Sequence, residues 1–260
     1  MKILFIGDII GRPGRAAVKK LLPNLVKKND LDFVIANGEN LASGKGMTKK
    51  TYDEMIEIGV DLFTSGNHIW NNKDIIPFLD DSSVKILRPL NYPKGTPGRG
   101  ATVLEKGDKK LFVINLQGRV FMPDEVEDPF SLAMQYSQTA KDPILIDFHA
   151  EATSEKIAFG NYLDGRVAAV IGTHTHVQTA DEKIFAGGSG FITDAGMTGP
   201  IDSVLGVEKE IIIERFLTSL PVSHKVAVGA VNFSAVLVVI DPERKITTAI
   251  SRLNETVDLD

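Results

Sequence analysis

"VAAVIGTHTH", Val167–His176, begins as a short run of small and β-branched apolar residues and ends in two histidines separated by one threonine. Such a run reads as a strand buried on both faces. The same design recurs. Lys2–Gly7 (KILFIG), Phe33–Asn37 (FVIAN), Asp61–Gly66 (DLFTSG), Lys110–Asn115 (KLFVIN) and Pro143–His149 (PILIDFH) read as further buried strands. Helices are predicted between several of them, over Pro13–Lys28, Thr48–Gly59, Asp128–Ala140 and Ser154–Gly165. The first has Pro13 near its start, where a missing N–H is harmless, and Pro23 inside, where a kink is expected. Lys225–Ile240 and Lys245–Asn254 have no helical pattern between them and predict an antiparallel pair. Strand–helix–strand units followed by antiparallel strands predict an α/β fold, a two-sheet mixed β-sandwich flanked by helices. With no repeat, low-complexity tract or linker, residues 1–260 read as one domain.

Composition narrows the function. A formal net charge of −5 argues against a polynucleotide groove, which needs clustered Lys and Arg. A small phosphorylated ligand stays open, because bound metal ions supply positive charge locally. The chain has no cysteine, so any metal must sit on oxygen and imidazole ligands. "MKILFIGDII" does not read as a secretory signal, since Asp8 interrupts a very short apolar run. Val226–Ile240 contains Asn232 and Ser234 and is too short to span a bilayer. A cytoplasmic protein without membrane contact is expected.

The residues just beyond each strand are more telling. Asp8 comes after the first; Gly38, Glu39 and Asn40 after the second; Gly66, Asn67 and His68 close the third. His149 ends another, and Thr173-His174-Thr175-His176 completes the stretch quoted above. Four of the five histidines of the chain lie at these strand ends, where ligands gather in open α/β sheets. Singly each has an ordinary reading. Asp8 can cap the next helix, Gly66-Asn67 can be a turn, and His149, His174 and His176 can be hydrogen-bonded structural histidines. Together they read as a metal cage. In an extended segment His174 and His176 would face the same side, roughly 6–7 Å apart at their Cα atoms. Paired catalytic metals sit roughly 3.5–4 Å apart, so this spacing suits one imidazole per ion. Asn67 and His68, being adjacent, should diverge, one toward metal and the other toward substrate. Glu39 is the natural bridge, and Gly38 would permit the tight turn that delivers it. Two divalent ions, Asp8, Glu39 and a bridging hydroxide sum to about +1, which complements a phosphodiester monoanion.

Asp8, Gly38-Glu39, Gly66-Asn67-His68, His149 and "GTHTH" resemble, in order and type, the calcineurin-like metallophosphoesterase superfamily. Ile10 stands where its D-x-H motif has histidine, Glu39 replaces the usual bridging Asp, and Ile69 follows Asn67-His68 where an acid is common. With "GDIIGRPGR", "NGEN", "GNHIW", "DFHAEATSEK", "GTHTHVQT" and "TDAGMTGP", the chain resembles the YmdB-like branch over nearly its whole length. The resemblance implies a four-layer α/β/β/α fold and a bacterial 2′,3′-cyclic-nucleotide phosphodiesterase with two metal ions, often iron, with manganese or zinc as alternatives. It implies Asp8, Glu39, Asn40 and His176 on one ion and Glu39, Asn67, His149 and His174 on the other. Asn40 would fill the place left by Ile10. A bridging hydroxide would attack phosphorus, and His68 would protonate the departing 2′ oxygen, giving a 3′-nucleotide. The partner is then a small cyclic nucleotide, and a homo-oligomer is expected. The rivals are a phosphomonoesterase or protein phosphatase on the same scaffold, and a nucleotide-binding regulator with little turnover. Arg12 and Arg15 read as phosphate-side charges or as ordinary surface groups. Asp147 and Glu151 flank His149 and could orient it, although a solvated or capping role suits Glu151 better. Asp194 reads as a loop residue near the site, and His224 as structural or exposed.

Overall fold

The computed structural model describes residues 1–259. Its elements are β1 (Lys2–Ile6), β2 (Asp8–Ile9), α1 (Gly11–Asn29), β3 (Phe33–Asn37), α2 (Lys49–Ile58), β4 (Leu62–Thr64), α3 (Ile76–Leu79), β5 (Ala101–Lys106), β6 (Lys109–Gln117), α4 (Pro129–Thr139), β7 (Ile144–His149), α5 (Thr153–Tyr162), β8 (Ala169–Thr173), β9 (Lys183–Ile184), β10 (Gly190–Ile192), β11 (Met197–Pro200), α6 (Lys209–Thr218), β12 (Val231–Asp241) and β13 (Ile246–Val257). One sheet runs β2-β11-β12-β1-β3-β4, with β13 also paired to β12. The other runs β5-β6-β7-β8-β10-β9. Strands β1, β3 and β4 are parallel, as are β6, β7, β8 and β10. The expected antiparallel pair is present as β12–β13.

Alternation along the buried strands builds the layers, because successive side chains leave opposite faces of a sheet. From β1, Ile3 and Phe5 join Phe33, Val236, Val113, Leu145 and Ile171 in a core shared by both sheets. Leu4 and Ile6 point the other way, into a cluster with Val18 and Leu22 of α1 and Met55 of α2. On the second sheet, Ile146 and Phe148 pack against Ala133 of α4 and Phe159 of α5. The order helix, sheet, sheet, helix is the expected four-layer arrangement. Each fully buried large apolar side chain in these clusters contributes roughly 1.5–3 kcal/mol.

Local signals fix the helix ends. Thr48 and Thr51 form a reciprocal capping box before α2, and the Asp128 carboxylate accepts from the Phe130 and Ser131 N–H groups at the start of α4. Helix α1 continues through Pro23 to Asn29. Helices α3 and α6 and strands β2, β5, β9, β10 and β11 lie outside the elements expected from sequence; β5 buries none of its six residues. Helix α6 carries Ile213, Phe216 and Leu217 at helical spacing but leaves them exposed, and two- to four-residue strands carry no periodicity to detect. Among the described residues no helix is long and apolar enough to cross a membrane.

The strand that leads to His174 and His176 passes close to the backbone at Thr193. A Cβ on Gly172, in β8, would run into the Thr193 carbonyl, whereas a Cβ on Gly107, in the β5–β6 turn at φ +61°, meets nothing. Gly172→Ala is therefore expected to cost about 3 kcal/mol or more through overpacking. Gly107→Ala should cost about 1–2 kcal/mol through its left-handed backbone alone. Urea unfolding of the two variants followed by circular dichroism checks the order; a milder effect at Gly172 would contradict the packing described.

Candidate active site

The site forms where strands of both sheets end. Asp8 opens β2, its N–H donating to the Gly196 carbonyl at 3.0 Å. Glu39 and Asn40 follow β3 in a turn closed by the Leu41 N–H on the Gly38 carbonyl (3.1 Å). Asn67 and His68 begin a 3₁₀ turn, Asn67–Asn71, after β4. His149 ends β7, and His174 and His176 follow β8.

Two local expectations need correction. The turn at Gly38 exists, but its φ is not positive; glycine is required because a Cβ would collide with Met47 and Phe63. Nor are His174 and His176 alternate residues of an extended strand. Strand β8 stops at Thr173, and the two histidines take φ values of 95° and 65°. Such conformations cost about 1–3 kcal/mol each and persist only where neighbours enforce them. Here the His174 N–H donates to Asp8 Oδ2 (3.3 Å), and Asp194 Oδ2 accepts from the Thr175 N–H (3.1 Å) and hydroxyl (2.7 Å). The Met197 N–H donates to the His176 carbonyl at 3.0 Å. The rings converge through a pinned turn. Asp194 is held in turn by the buried Lys156 ammonium at 2.7 Å, a residue with no signal in the sequence.

Seven of the eight expected site residues come together, and Asn67 lies in the chain between Gly66 and His68, both of which approach Glu39. Glu39, His149 and His174 form one group whose ligand atoms lie within 4.8 Å of one another, and Asp8, Glu39 and His176 form a second. Glu39 belongs to both, and each group takes one imidazole from the H-x-H. His149 Nε2 is 3.1 Å from Glu39 Oε2 and 3.1 Å from His174 Nδ1. His176 Nε2 is 3.7 Å from Asp8 Oδ1. Asn40 Nδ2 lies 3.2 Å from Glu39 Oε1 and 3.1 Å from His176 Nε2. Glu151, for which a solvated or capping role is expected, is exposed and also places Oε2 3.1 Å from His174 Nε2.

The ring of His149 is locked from behind. Its Nδ1 is 2.9 Å from the Thr173 hydroxyl, which donates to Asp147 Oδ1 at 2.7 Å. That hydroxyl therefore accepts from His149 Nδ1–H, and Nε2 is the nitrogen turned to the site. Asp147 orients His149, as one reading of the sequence allowed, but through Thr173.

Charge is concentrated here. Burial opposes a proton on His149, yet Glu39, Asp8 and Asp147 outweigh it and hold the imidazole up to about 9. Burial also opposes ionisation of Glu39, but His149 and His68 keep its carboxyl well below the usual range. Burial raises Asp8; burial and the neighbouring His149 push His174 down to about 3. Asp8 Oδ1 and Asn67 Oδ1 are buried oxygens with no hydrogen-bond partner, and buried acceptors are nearly always satisfied. Two orphaned oxygens beside clustered imidazoles fit a metal site, and the nitrogen–oxygen donor set suits iron, manganese or zinc.

The remaining candidates separate. Arg15 is spoken for, with Nε on Glu54 (2.8 Å) and Nη1 on the Leu41 carbonyl (2.7 Å), bracing the turn that carries Glu39. Arg12 is exposed. His224 is not isolated: it lines a cleft that also reaches His176.

This two-sheet scaffold, with carboxylates, carboxamides and imidazoles at its strand ends, is that of the calcineurin-like metallophosphoesterases. The chain belongs to the YmdB-like protein family, whose sequence model matches residues 4–253. It is 51% identical, over 97% of its length and 96% of the relative's, to the 2′,3′-cyclic-nucleotide 2′-phosphodiesterase of Bacillus subtilis. A solved hypothetical protein from Thermus thermophilus superposes with a TM-score of 0.92 at 44% identity, covering 98% of this chain and 99% of that one. A Mycoplasma pneumoniae structure described as a novel phosphatase gives 0.94 at 34% identity, covering 99% and 94%. The NAD nucleotidase of Haemophilus influenzae, at 15% identity and a TM-score of 0.58, shares the fold alone; the chain covers 56% of it.

Gly66 allows Glu39 and His149 to approach each other, because a Cβ there would overlap Glu39 Oε2 and His149 Nε2. Gly66→Ala is expected to keep its circular dichroism spectrum but to hold less than half the metal of the parent chain. Elemental analysis after loading with Mn²⁺ or Fe²⁺ decides; full metal content would show that the pocket tolerates the methyl group.

Proposed function

We propose that the chain is a metal-dependent phosphodiesterase opening 2′,3′-cyclic nucleotides to 3′-nucleotides. The observation that carries this reading is the doubly used Glu39, a buried carboxylate common to two groups of metal-binding side chains. In this proposal Glu39, Asn67, His149 and His174 hold one ion, and Asp8, Glu39, Asn40 and His176 the other. Iron is the proposed metal, with manganese or zinc compatible with the same donors. Such ions supply polarisation of the phosphoryl oxygens and a lowered water pKa. The substrate class comes from the similarity to the Bacillus subtilis enzyme.

The chain's own residues supply the rest. His68 Nδ1 lies 3.0 Å from Asn40 Oδ1. The Asn40 amide therefore orients the imidazole from its Nδ1 side, and Nε2 is the nitrogen left to exchange a proton with substrate. A departing ribose oxygen is a poor leaving group until protonated, and His68 Nε2–H supplies that proton. His68 is partly exposed, its side chain at 31%, as a group that meets substrate must be. Asp147 and Thr173 fix the His149 ring, and Asp194 fixes the turn bearing His174 and His176. We further read residues 1–260 as one domain, on the ground that β1, β3, β6, β7, β8 and β12 all feed one core cluster.

The test is a panel assay with added Mn²⁺ or Fe²⁺, comparing 2′,3′-cyclic AMP, 3′,5′-cyclic AMP, a bis-aryl phosphodiester and an aryl monoester. The 2′,3′-cyclic nucleotide is expected to be preferred and to yield 3′-AMP; preference for the monoester would overturn the assignment. His68→Ala should retain its metals by elemental analysis and lose about 10²–10⁴-fold in turnover of 2′,3′-cyclic AMP. Its loss on the bis-aryl diester should be much smaller, since an aryloxide leaves without a proton. Equal losses on both substrates would take the proton-donor role away from His68.

A further inference from the structure

Beside the proposed metal site lies a cleft of about 800 Å³, bounded by Ser43–Lys45 on one side, by Leu205–Val207, and by Arg215 with Ser219–His224 on another. It is continuous with the site: His176 lines it, and the Leu205 carbonyl lies 3.1 Å from His176 Nδ1. The volume falls within the range of roughly 300–1,000 Å³ that suits a small-molecule ligand. Its charge is unusual for this chain. The formal net charge is −5, yet the lining contains the cations Lys45 and Arg215, beside the imidazoles of His176 and His224, and no carboxylate.

Nearby basic residues are neutralised. Lys209 is paired with Asp202 at 2.6 Å and Lys225 with Glu208 at 2.7 Å. Lys45 and Arg215 have no carboxylate partner among the described residues. Arg215 Nη1 approaches His224 Nε2 at 3.5 Å. Burial first, then the charges of Lys45 and Arg215, lower the pKa of His224, so their fields meet at that ring. Uncompensated positive charge focused in a cleft attracts an anion.

We propose that this cleft receives a second phosphate of the substrate, carried on the 5′ oxygen of the nucleoside whose 2′,3′-cyclic phosphate is opened. The inference rests on the phosphodiesterase reading above and adds Lys45 and Arg215 as specificity-determining residues. Lys45 supplies a mobile ammonium and Arg215 a planar fork suited to phosphate oxygens. Such a phosphate has two sources, a 5′-phosphomonoester on a mononucleotide or the internucleotide phosphate at the 3′ end of a short RNA. The shared chemistry is an anionic phosphate one ribose away from the cyclic phosphate.

Three substrates separate the possibilities: adenosine 2′,3′-cyclic phosphate, the same compound bearing a 5′-phosphate, and the dinucleotide ApA ending in a 2′,3′-cyclic phosphate. The phosphate-bearing substrates are expected to show a kcat/KM about tenfold above the first, and the gap should narrow as salt is raised. Preference for the 5′-monoester or for the dinucleotide identifies the source. In Lys45→Gln/Arg215→Gln the ratio should fall to about 1, and Arg215→Lys should keep part of it. Calorimetry gives a readout independent of turnover, with adenosine 3′,5′-bisphosphate binding more tightly than 3′-AMP to the parent chain and equally to the double variant. Equal kcat/KM values together with equal affinities in the parent chain, or a ratio untouched by the double variant, would overturn the inference. If no cyclic nucleotide is turned over, the phosphodiesterase reading falls, and the bisphosphate comparison still decides the cleft.

Discussion

Glu39 has one oxygen 3.1 Å from His149 Nε2 and the other 3.2 Å from the Asn40 amide, and it is 1% exposed. A carboxylate so far from water is tolerable only when opposite charge or hydrogen-bond donors surround it. Much of the surrounding chemistry stems from that constraint. Histidines converge on it from two strand ends of the second sheet, Asp8 and Asn67 bring further oxygens from the first, and Asn37 Oδ1 accepts its backbone N–H at 3.1 Å. The two groups of metal-binding side chains share this one carboxylate, so its loss would undo both.

Bringing these side chains together sets demands on the backbone. Gly66 must lack a side chain so that Glu39 and His149 can approach, and Gly38 must lack one so that Met47 and Phe63 can pack under the turn. His174 and His176 must adopt left-handed conformations, which Asp8, Asp194 and Met197 impose through hydrogen bonds. Strain at one turn is thus offset by a buried polar network that includes Lys156. The helices and apolar layers hold the two sheets face to face, and the chemistry happens along the edge where their strands end.

Much of this is legible in the linear chain. The six buried strands, the four main helices and the C-terminal antiparallel pair can be read because each is long enough to show a period or an unbroken apolar run. The metal-binding candidates can be read because polar and ionisable residues at the ends of apolar strands are hard to explain as packing. Asn40 is different: only its place in a familiar motif order points to it, since one carboxamide beside a carboxylate has no signature of its own. Helix α6 has apolar residues at helical spacing, Ile213, Phe216 and Leu217, that the fold leaves exposed, and the role of Lys156 escapes because a lysine in a helical stretch reads as solvent-facing.

By itself, then, the sequence determined the alternation of strands and helices, the absence of thiolate ligands, and which strand ends carry chemistry. These are properties of composition and of short-range periodicity. Tertiary structure alone decided that Glu39 serves two groups at once, that the two histidines after β8 converge through a turn, and that Asp147 reaches His149 by way of Thr173. It also decided that Lys45 faces the same cleft as Arg215 and His224, which lie more than 150 residues further along the chain. Those relations depend on distances between segments remote in sequence, and a linear pattern contains no such distances until the sheets have packed.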